Sequence, residues 1–384
     1  MLSVAIGLFA GIAVMALYKG MLDSRVRTLI STETGHIQLH ARDFKKDYEP
    51  SFVLPDGYRL LEQVKKMQGV QLAVPRSITY GMLSTSTGSS GVQINGVEPE
   101  LEYKASQLKE KISDGKGFSK SKKNEILIGK KLAVKMKLKL GGKLVLTFTD
   151  SSGNIVAGAF RVAAIYQSEN TTLDEINVYV LKSDLNGLLG IGFSFHEIAV
   201  LLDSDNQVKM MQKSLQQKFP DCNVESWNEI SPETELMANT VDQYSYIILG
   251  IIMMALAFGI INTMLMAILE RTREIGTMVA FGMNRKRLFV LILLETFFLT
   301  LAGAPVGLLL GWAIIAYYNK NGLDLSGFGK EMLSSFGYSR IIYPEFPWEQ
   351  LTGILLIVAG TALLSCLFPA IKAMRLQPVK ALQR

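Results

Sequence analysis

Two cysteines and three histidines in 384 residues leave this chain little material for metal or redox chemistry. Cys222 lies in a polar segment and Cys366 inside an apolar run, so the two are not placed to meet. No disulfide framework is expected, and the redox compartment stays open. His36 and His40 stand four residues apart, with only His196 and Cys222 as further donors of those types. Zinc needs several ligands converging on one point, so histidines on strand surfaces are the default reading. A nucleotide loop is missing as well. Every Gly-Lys pair, at 115–116, 129–130, 142–143 and 329–330, lacks the Ser or Thr that completes G-x-x-x-x-G-K-[ST]. No nucleophile–base–orienter set is legible, so the chain is not read as an enzyme. Charged residues make up only 19% of the sequence against 49% hydrophobic, with a formal net charge of +6. That is too apolar for an ordinary soluble protein and too charged for one that lies wholly in a bilayer. An α+β membrane protein, with a few spans and a sizeable water-exposed part, satisfies both limits.

Four apolar runs supply the spans: 2–18, 243–269, 288–318 and 351–370. The second is uncharged throughout its 27 residues. As a helix it measures about 40 Å, more than the ~30 Å hydrocarbon core, so it tilts or projects. The third is interrupted only by Glu295. No charge precedes the first run, which argues for an uncleaved span over a signal peptide. Basic residues set the orientation. The 270–287 connection carries Arg271, Arg273, Arg285, Lys286 and Arg287, and the tail carries Lys372, Arg375, Lys380 and Arg384. The approach to the second span is acidic instead, with Glu229, Glu233, Glu235 and Asp242. The connection and both termini are therefore placed in the cytoplasm, and residues ~19–242 outside. Lys19, Arg25 and Arg27 oppose this at the first span, a conflict that a basic segment missing from the front would remove.

The outer stretch is long enough for a folded domain and reads as α+β. Strand-like runs fall at 36–40, 91–97, 143–150, 160–166, 176–181 and 196–202. Val208, Met211, Leu215 and Phe219 follow at helical spacing, and then "CNVESW" is extended, which makes a β-α-β unit over 196–227. A second helix is expected over 124–138, capped by Asn124. "SPETELM" starts another, with Ser231 as cap and Pro232 at the first position. That helix is expected to run on into the second span as a stalk, with Lys19 to Ile30 continuing the first span in the same way. Residues 104–143 hold 13 lysines but one aromatic and no arginine, which fits a solvated face better than a nucleic-acid site; contact with acidic lipid is the sharper alternative.

The connection "ERTREIGTMVAFGMNRKRL" is stiff and charged for so short a loop. A helix from Glu270 to about Phe281 sets Glu270 and Glu274 one turn apart, with Arg271 and Arg273 beside them. It offers Ile275, Met278 and Val279 as an apolar strip, and Gly282 breaks it. Such an element suits docking on a partner, or anchoring at the membrane surface. Glu295, a carboxylate inside a span, is a functional candidate by default; near the interface, the favoured reading is structural, by snorkelling or by pairing with Arg287 or Lys286. "LAGAPVG" combines small residues with Pro305 and implies close packing and a kink.

These residues carry a resemblance. "ILERTREIGTMVAFGMNRKRL…ILLET" resembles the cytoplasmic signature of FtsX-like ABC transporter permeases, at Glu270, Arg271, Glu274, Ile275, Gly276, Ala280, Gly282 and Glu295. The tail resembles that family's ending at Pro369, Ala370, Pro378, Ala381 and Leu382. "GHIQLHARDF" and "SWNEISPE" are similar to the start and end of a MacB-like periplasmic core domain. The implied division is 1–30 span and stalk, 31–230 periplasmic core, 231–269 stalk and span, 270–287 coupling loop, and 288–384 the last two spans with a cytoplasmic tail. The resemblance implies an inner-membrane permease subunit that works by mechanotransmission. It pairs with a second permease subunit and with an ATPase dimer docked on the 270–282 helix. ATP-Mg would be bound by that partner and none by this chain. The large outer domain and the absent ATPase domain point to the lipoprotein-releasing LolC/LolE type, with a lipoprotein or chaperone as periplasmic partner. Drug or peptide efflux of MacB type and regulation of a cell-wall hydrolase, as in FtsX, stay open.

Overall fold

The computed structural model describes residues 2–119, 122–328 and 330–374. The chain divides into two compact units. One comprises Met1–Asp23, Met237–Asp324 and Ile341–Arg384; the other comprises Ser24–Leu236 and Leu325–Arg340. The first division falls inside a long helix, α1 (Leu2–Leu29), which ends in a π-helical turn at Ile30–Thr34. Gly35, at φ +73°, stops that turn and donates its N–H to the Ile30 carbonyl at 3.0 Å.

The larger unit is built on one ten-stranded sheet. In chain order its elements are β1 (Ile37–Ala41), α2 (Gly57–Lys65), β2 (Val70–Thr85), β3 (Gly88–Val97), β4 (Ile112–Gly115), β5 (Glu125–Gly129), α3 (Lys130–Lys135), β6 (Lys143–Thr149) and β7 (Ile155–Tyr166). Then come β8 (Asn177–Leu181), α4 (Lys182–Leu189), β9 (Glu197–Leu202), α5 (Val208–Lys218) and β10 (Cys222–Ser226). The strand order is β10-β1-β9-β2-β3-β8-β5-β7-β4, with β6 pairing β2 and β7.

Strand β2 joins two cores. Val70–Arg76 pairs with β9, and Ser77–Thr85 pairs with β3. Around the first half, Ile37, Leu39, Val64, Phe195, Ile198 and Leu215 form one apolar cluster. Around the second half, Leu83, Ile94, Ile126, Leu146, Phe160 and Val178 form another. The expected β-α-β unit is present as β9-α5-β10, with Val208, Met211 and Leu215 turned inward. Its two strands are not neighbours, because β1 lies between them and is antiparallel to both.

Two sequence expectations fail here. The helix expected over 124–138 is a strand followed by one short helix. Asn124 adopts a left-handed backbone (φ +56°) rather than a cap, and β5 is buried along its whole length between β8 and β7. A strand covered on both faces reads as an unbroken apolar run, which periodicity does not separate from helix. Strand β2 was not expected, because Pro75, Gly81 and scattered polar residues hide its pattern. By contrast β6 and β7 alternate buried and exposed, and the sequence shows them.

Where the two halves of β2 meet, Arg76 is buried with two carboxylates. Its Nη2 and Nε donate to Glu102 at 2.8 and 3.0 Å, and its Nη1 donates to Glu197 at 3.4 Å and to the Glu33 carbonyl at 3.3 Å. A forked guanidinium suits this bidentate geometry, and removing it would strand two buried acids.

The histidines, expected on strand surfaces, are buried instead. His196 Nδ1 accepts from the Ile78 N–H at 2.9 Å, and its ring stacks on Phe44 at 4.9 Å. Nδ1 therefore carries no proton, and Nε2 faces the Pro50 carbonyl at 3.1 Å. His36 sits 2.8 Å from Asp205. Among the described residues no three potential metal ligands converge. Both cysteines are buried and free. The lysine-rich segment is not uniformly solvated: Lys111 is mostly buried and donates to Thr32 at 2.6 Å, while Lys131 and Lys135 pair with Glu175.

The smaller unit contains α1 and three further long helices: α6 (Pro232–Glu270), α8 (Arg285–Asn321) and α9 (Leu351–Met374), with the short α7 (Thr272–Ala280) between α6 and α8. Ser231 stands at the start of α6 as expected, and its carbonyl accepts from Thr234 N–H at 3.0 Å. Four helices, α1, α6, α8 and α9, are long and apolar enough to cross a membrane. Gly303, Gly307 and Gly311 of α8 are buried at a spacing of four. A Cβ at Gly307 would lie 2.6 Å from the Ala5 carbonyl oxygen, so α1 and α8 approach to backbone contact. Pro305 is exposed, on the side of α8 away from this stripe, and does not interrupt the helix, and Pro369 is buried inside α9. The tail positions Pro378, Ala381 and Leu382 lie outside the described residues.

Two predictions follow for the larger unit. Arg76→Met costs about 3–5 kcal/mol of opening free energy at β2 and β9, measured by amide exchange in the full chain, whereas joint replacement of Arg76, Glu102 and Glu197 by apolar residues costs far less. Burial, aided for His40 by Lys45, holds His40 down at about 3 and His196 down at about 4. Both stay neutral when folded but protonate once unfolded, so their stabilisation is complete above pH ~6.5 and is lost as pH falls toward the folded values. Burial pushes Asp174 up to about 6, and its contribution runs the other way, being lost as pH rises through that value. Together these three groups give a loss of about 2.5 kcal/mol between pH 7.5 and 5, and His196→Gln removes roughly three-quarters of it.

Candidate docking site

Helix α6 ends at Glu270 for a local reason. Thr272 Oγ1 donates to the Ile268 and Leu269 carbonyls at 3.1 and 2.7 Å, which diverts acceptors at the end of the helix. Arg271 takes a non-helical backbone (φ −92°, ψ 15°), and α7 begins at the next residue. The continuous helix expected from Glu270 to Phe281 is thus two helices joined at one residue. At the far end of α7, the Met283 N–H bonds to the Met278 carbonyl at 3.0 Å and the Gly282 N–H to the Val279 carbonyl at 3.1 Å. Gly282 supplies the positive φ (+94°) that this Schellman arrangement requires. The Asn284 side chain then accepts from the Lys286 N–H at 3.0 Å and starts α8. A break, a helix, a stop and a new cap follow within fifteen residues, which fixes the path of the connection.

The apolar strip turns inward. Ile275 and Gly276 are buried, and Met278 and Val279 pack on the cluster that holds Ile268, Leu288 and Ile292. Neighbouring helices of the same unit cover much of this strip, leaving Met278 and Val279 half-buried. The outward face of α7 carries Arg273, Glu274, Thr277 and Ala280, with Glu270 exposed at the end of α6. Past α7, Phe281 is 93% exposed next to Gly282. The sequence reading missed Phe281 as a contact residue; the signal was an aromatic immediately before the glycine stop, where no helix face remains to bury it.

Glu295 pairs with Arg271, not with Arg287 or Lys286. Arg271 Nη1 donates to Glu295 Oε1 at 3.0 Å. Arg287 is eight residues away on the same helix, about 12 Å along the axis, whereas the break at Arg271 directs that side chain back across α8. The pair and Glu274 border a cleft of only about 80 Å³ with Ile268, Ile275 and Leu288. It is too small for a substrate, so the site offers a surface rather than a pocket.

Comparison with known proteins identifies the family. The MacB-like periplasmic core domain family matches residues 1–218, and the FtsX-like permease C-terminal family matches residues 246–378. The chain belongs to the FtsX-like ABC transporter permeases with a MacB-like periplasmic core. The lipoprotein-releasing system transmembrane protein LolE of Haemophilus influenzae is 23% identical over 76% of this chain and 72% of its own length. LolC of Neisseria meningitidis is 23% identical over 85% of this chain and 81% of its own. The macrolide export ATP-binding/permease protein MacB 2 of Yersinia pestis bv. Antiqua is 23% identical over the whole of this chain, which spans 55% of that relative. An FtsX-like permease of this type is a membrane protein with an extracytoplasmic domain, and strands β1 to β9 of the larger unit lie within the residues matched by the core family.

The Arg271–Glu295 pair is half exposed, so its reversal tests position more than stability. Arg271→Glu is expected to speed amide exchange across α7 severalfold, equivalent to about 1 kcal/mol. The swap Arg271→Glu with Glu295→Arg should restore the protection.

Proposed function

We propose that the chain is the permease subunit of an ABC transporter that works by mechanotransmission and releases lipoproteins from the outer leaflet of the inner membrane. The observation that carries this is α7. It is locked to α6 and α8 through Ile275, Gly276 and the Arg271–Glu295 pair, while Arg273, Glu274, Thr277 and Phe281 face outward. A short element fixed to two spans moves with them, so whatever pushes on it moves the spans. The pusher in this reading is an ATPase dimer that binds ATP-Mg, with α7 in a groove of one ATPase subunit and a second permease subunit alongside. The four apolar helices serve as spans, with both termini and α7 in the cytoplasm and the ten-stranded unit in the periplasm.

What supports lipoprotein release is the likeness to LolE and LolC, which match over most of this chain and most of their own length.

Co-expression with the ATPase should yield a complex whose ATP hydrolysis responds to the permease. Glu274→Lys and Phe281→Ala are each expected to lower that response by at least tenfold without unfolding the permease. If both variants bound the ATPase and stimulated it as the parent does, α7 would not be the docking element. Mass spectrometry of the purified complex should find a co-bound acylated protein; a complex loaded only with non-acylated small molecules would overturn the substrate class.

A further inference from the structure

Beside Arg76 lies a polar cavity of about 210 Å³ that the transport reading leaves unused. The π-helical turn at Ile30–Thr34 contributes Glu33 and Thr34 to its wall, and Ile230 borders it shortly before α6. π-Helical turns are rare and frequently mark functional positions. Two side chains that are more than nine-tenths buried present polar atoms to this space without partners. Glu197 is 3% exposed; its Oε1 takes the long 3.4 Å bond from Arg76, and among the described residues nothing donates to its Oε2. Tyr179 is 8% exposed, and among the described residues its hydroxyl has no hydrogen-bond partner. An occupant that donates to both atoms would supply hydrogen bonds that the protein does not.

Charge narrows the choice of occupant. Arg76 faces two buried carboxylates, Glu102 and Glu197, which leaves one negative charge in excess. The other nearby cations are committed: Lys45 to Glu225 at 2.6 Å and to Gln38 at 3.2 Å, and Arg25 to Glu33 at 3.3 Å. Water would satisfy hydrogen bonds but not charge. A metal ion lacks ligands, since no three potential metal-ligating side chains converge among the described residues. Aromatic rings also line the space, at Tyr48, Tyr80 and Tyr179, and ring faces attract cations.

We propose that this cavity binds a compact organic ammonium ion, whose N–H groups donate to Glu197 Oε2 and to the Tyr179 hydroxyl. The occupant brings the missing positive charge and at least two donors, and its size is limited to a few heavy atoms. Bound there, it ties the π-helical turn to β8 and β9. This inference does not depend on the substrate of transport.

The test uses the purified full chain with ethanolammonium chloride as the probe and sodium chloride at equal concentration as the control. At 10 mM ethanolammonium and constant pH, amide exchange at residues 30–35 and 197–202 is expected to slow at least threefold, with no change in sodium chloride. Glu197→Gln should abolish the effect. Tyr179→Phe should weaken apparent affinity about tenfold. Because that hydroxyl has no partner, its removal leaves the unliganded fold intact and keeps the proposal testable if Glu197→Gln misfolds. The proposal fails if exchange is unchanged by ethanolammonium, if sodium acts equally, or if Tyr179→Phe responds as the parent does. It also fails if acidification alone reproduces the protection and ethanolammonium adds nothing, since a proton would then be the neutralising species.

Discussion

The guanidinium of Arg76 is the interaction on which the ten-stranded unit depends. It sits at the residue where β2 changes partners, from β9 to β3, and it holds Glu102 and Glu197 from either side of that change. It also bonds the Glu33 carbonyl in the turn that closes α1. One buried cation thus links two apolar cores and the chain's entrance to them. Two cores on one sheet need such a link, because neither hydrophobic cluster reaches into the other. The cost of burying these charges is offset only while the set is complete, and the excess carboxylate makes the neighbouring cavity electrostatically unfinished.

The membrane-type helices are organised on another principle. Gly307 lets α8 meet the Ala5 backbone of α1, and Gly311 leaves room for the Ile12 side chain, so packing between these helices depends on small residues that permit close approach. At the turn between α6 and α8, polar hydrogen bonds set the geometry: the Thr272 hydroxyl ends one helix, Gly282 ends the next, and Asn284 begins the third. Apolar side chains of α7 then anchor it inward. What remains outside is small, charged and rigid, with one bare aromatic at its end.

Much of this was legible beforehand where one physical signal dominated. Long uncharged runs gave the four apolar helices, and alternation gave β6 and β7. The Ser231-Pro232 start of α6 and the Gly282 stop of α7 follow from backbone chemistry that any sequence obeys. Legibility failed where two elements compete for one residue. β5 looked helical because both its faces are covered. β2 was hidden because its two halves serve different cores. The strip Ile275, Met278 and Val279 was correctly apolar, yet apolarity does not say whether a face meets its own chain or another.

The sequence by itself determined which segments are long and apolar, where helices start and stop, and that no nucleotide loop of the common kind accompanies them. Those properties depend on residues within a turn or two of one another. Only the tertiary structure decided that Arg271 reaches Glu295, that Phe281 rather than Ile275 faces outward, and that Glu197 and Tyr179 share a cavity with partners lacking. Each of these joins residues about 20 positions apart, or depends on which side of an element is already covered. Side-chain burial and pairing at that range are set by the packing of whole elements, which local sequence pattern does not encode.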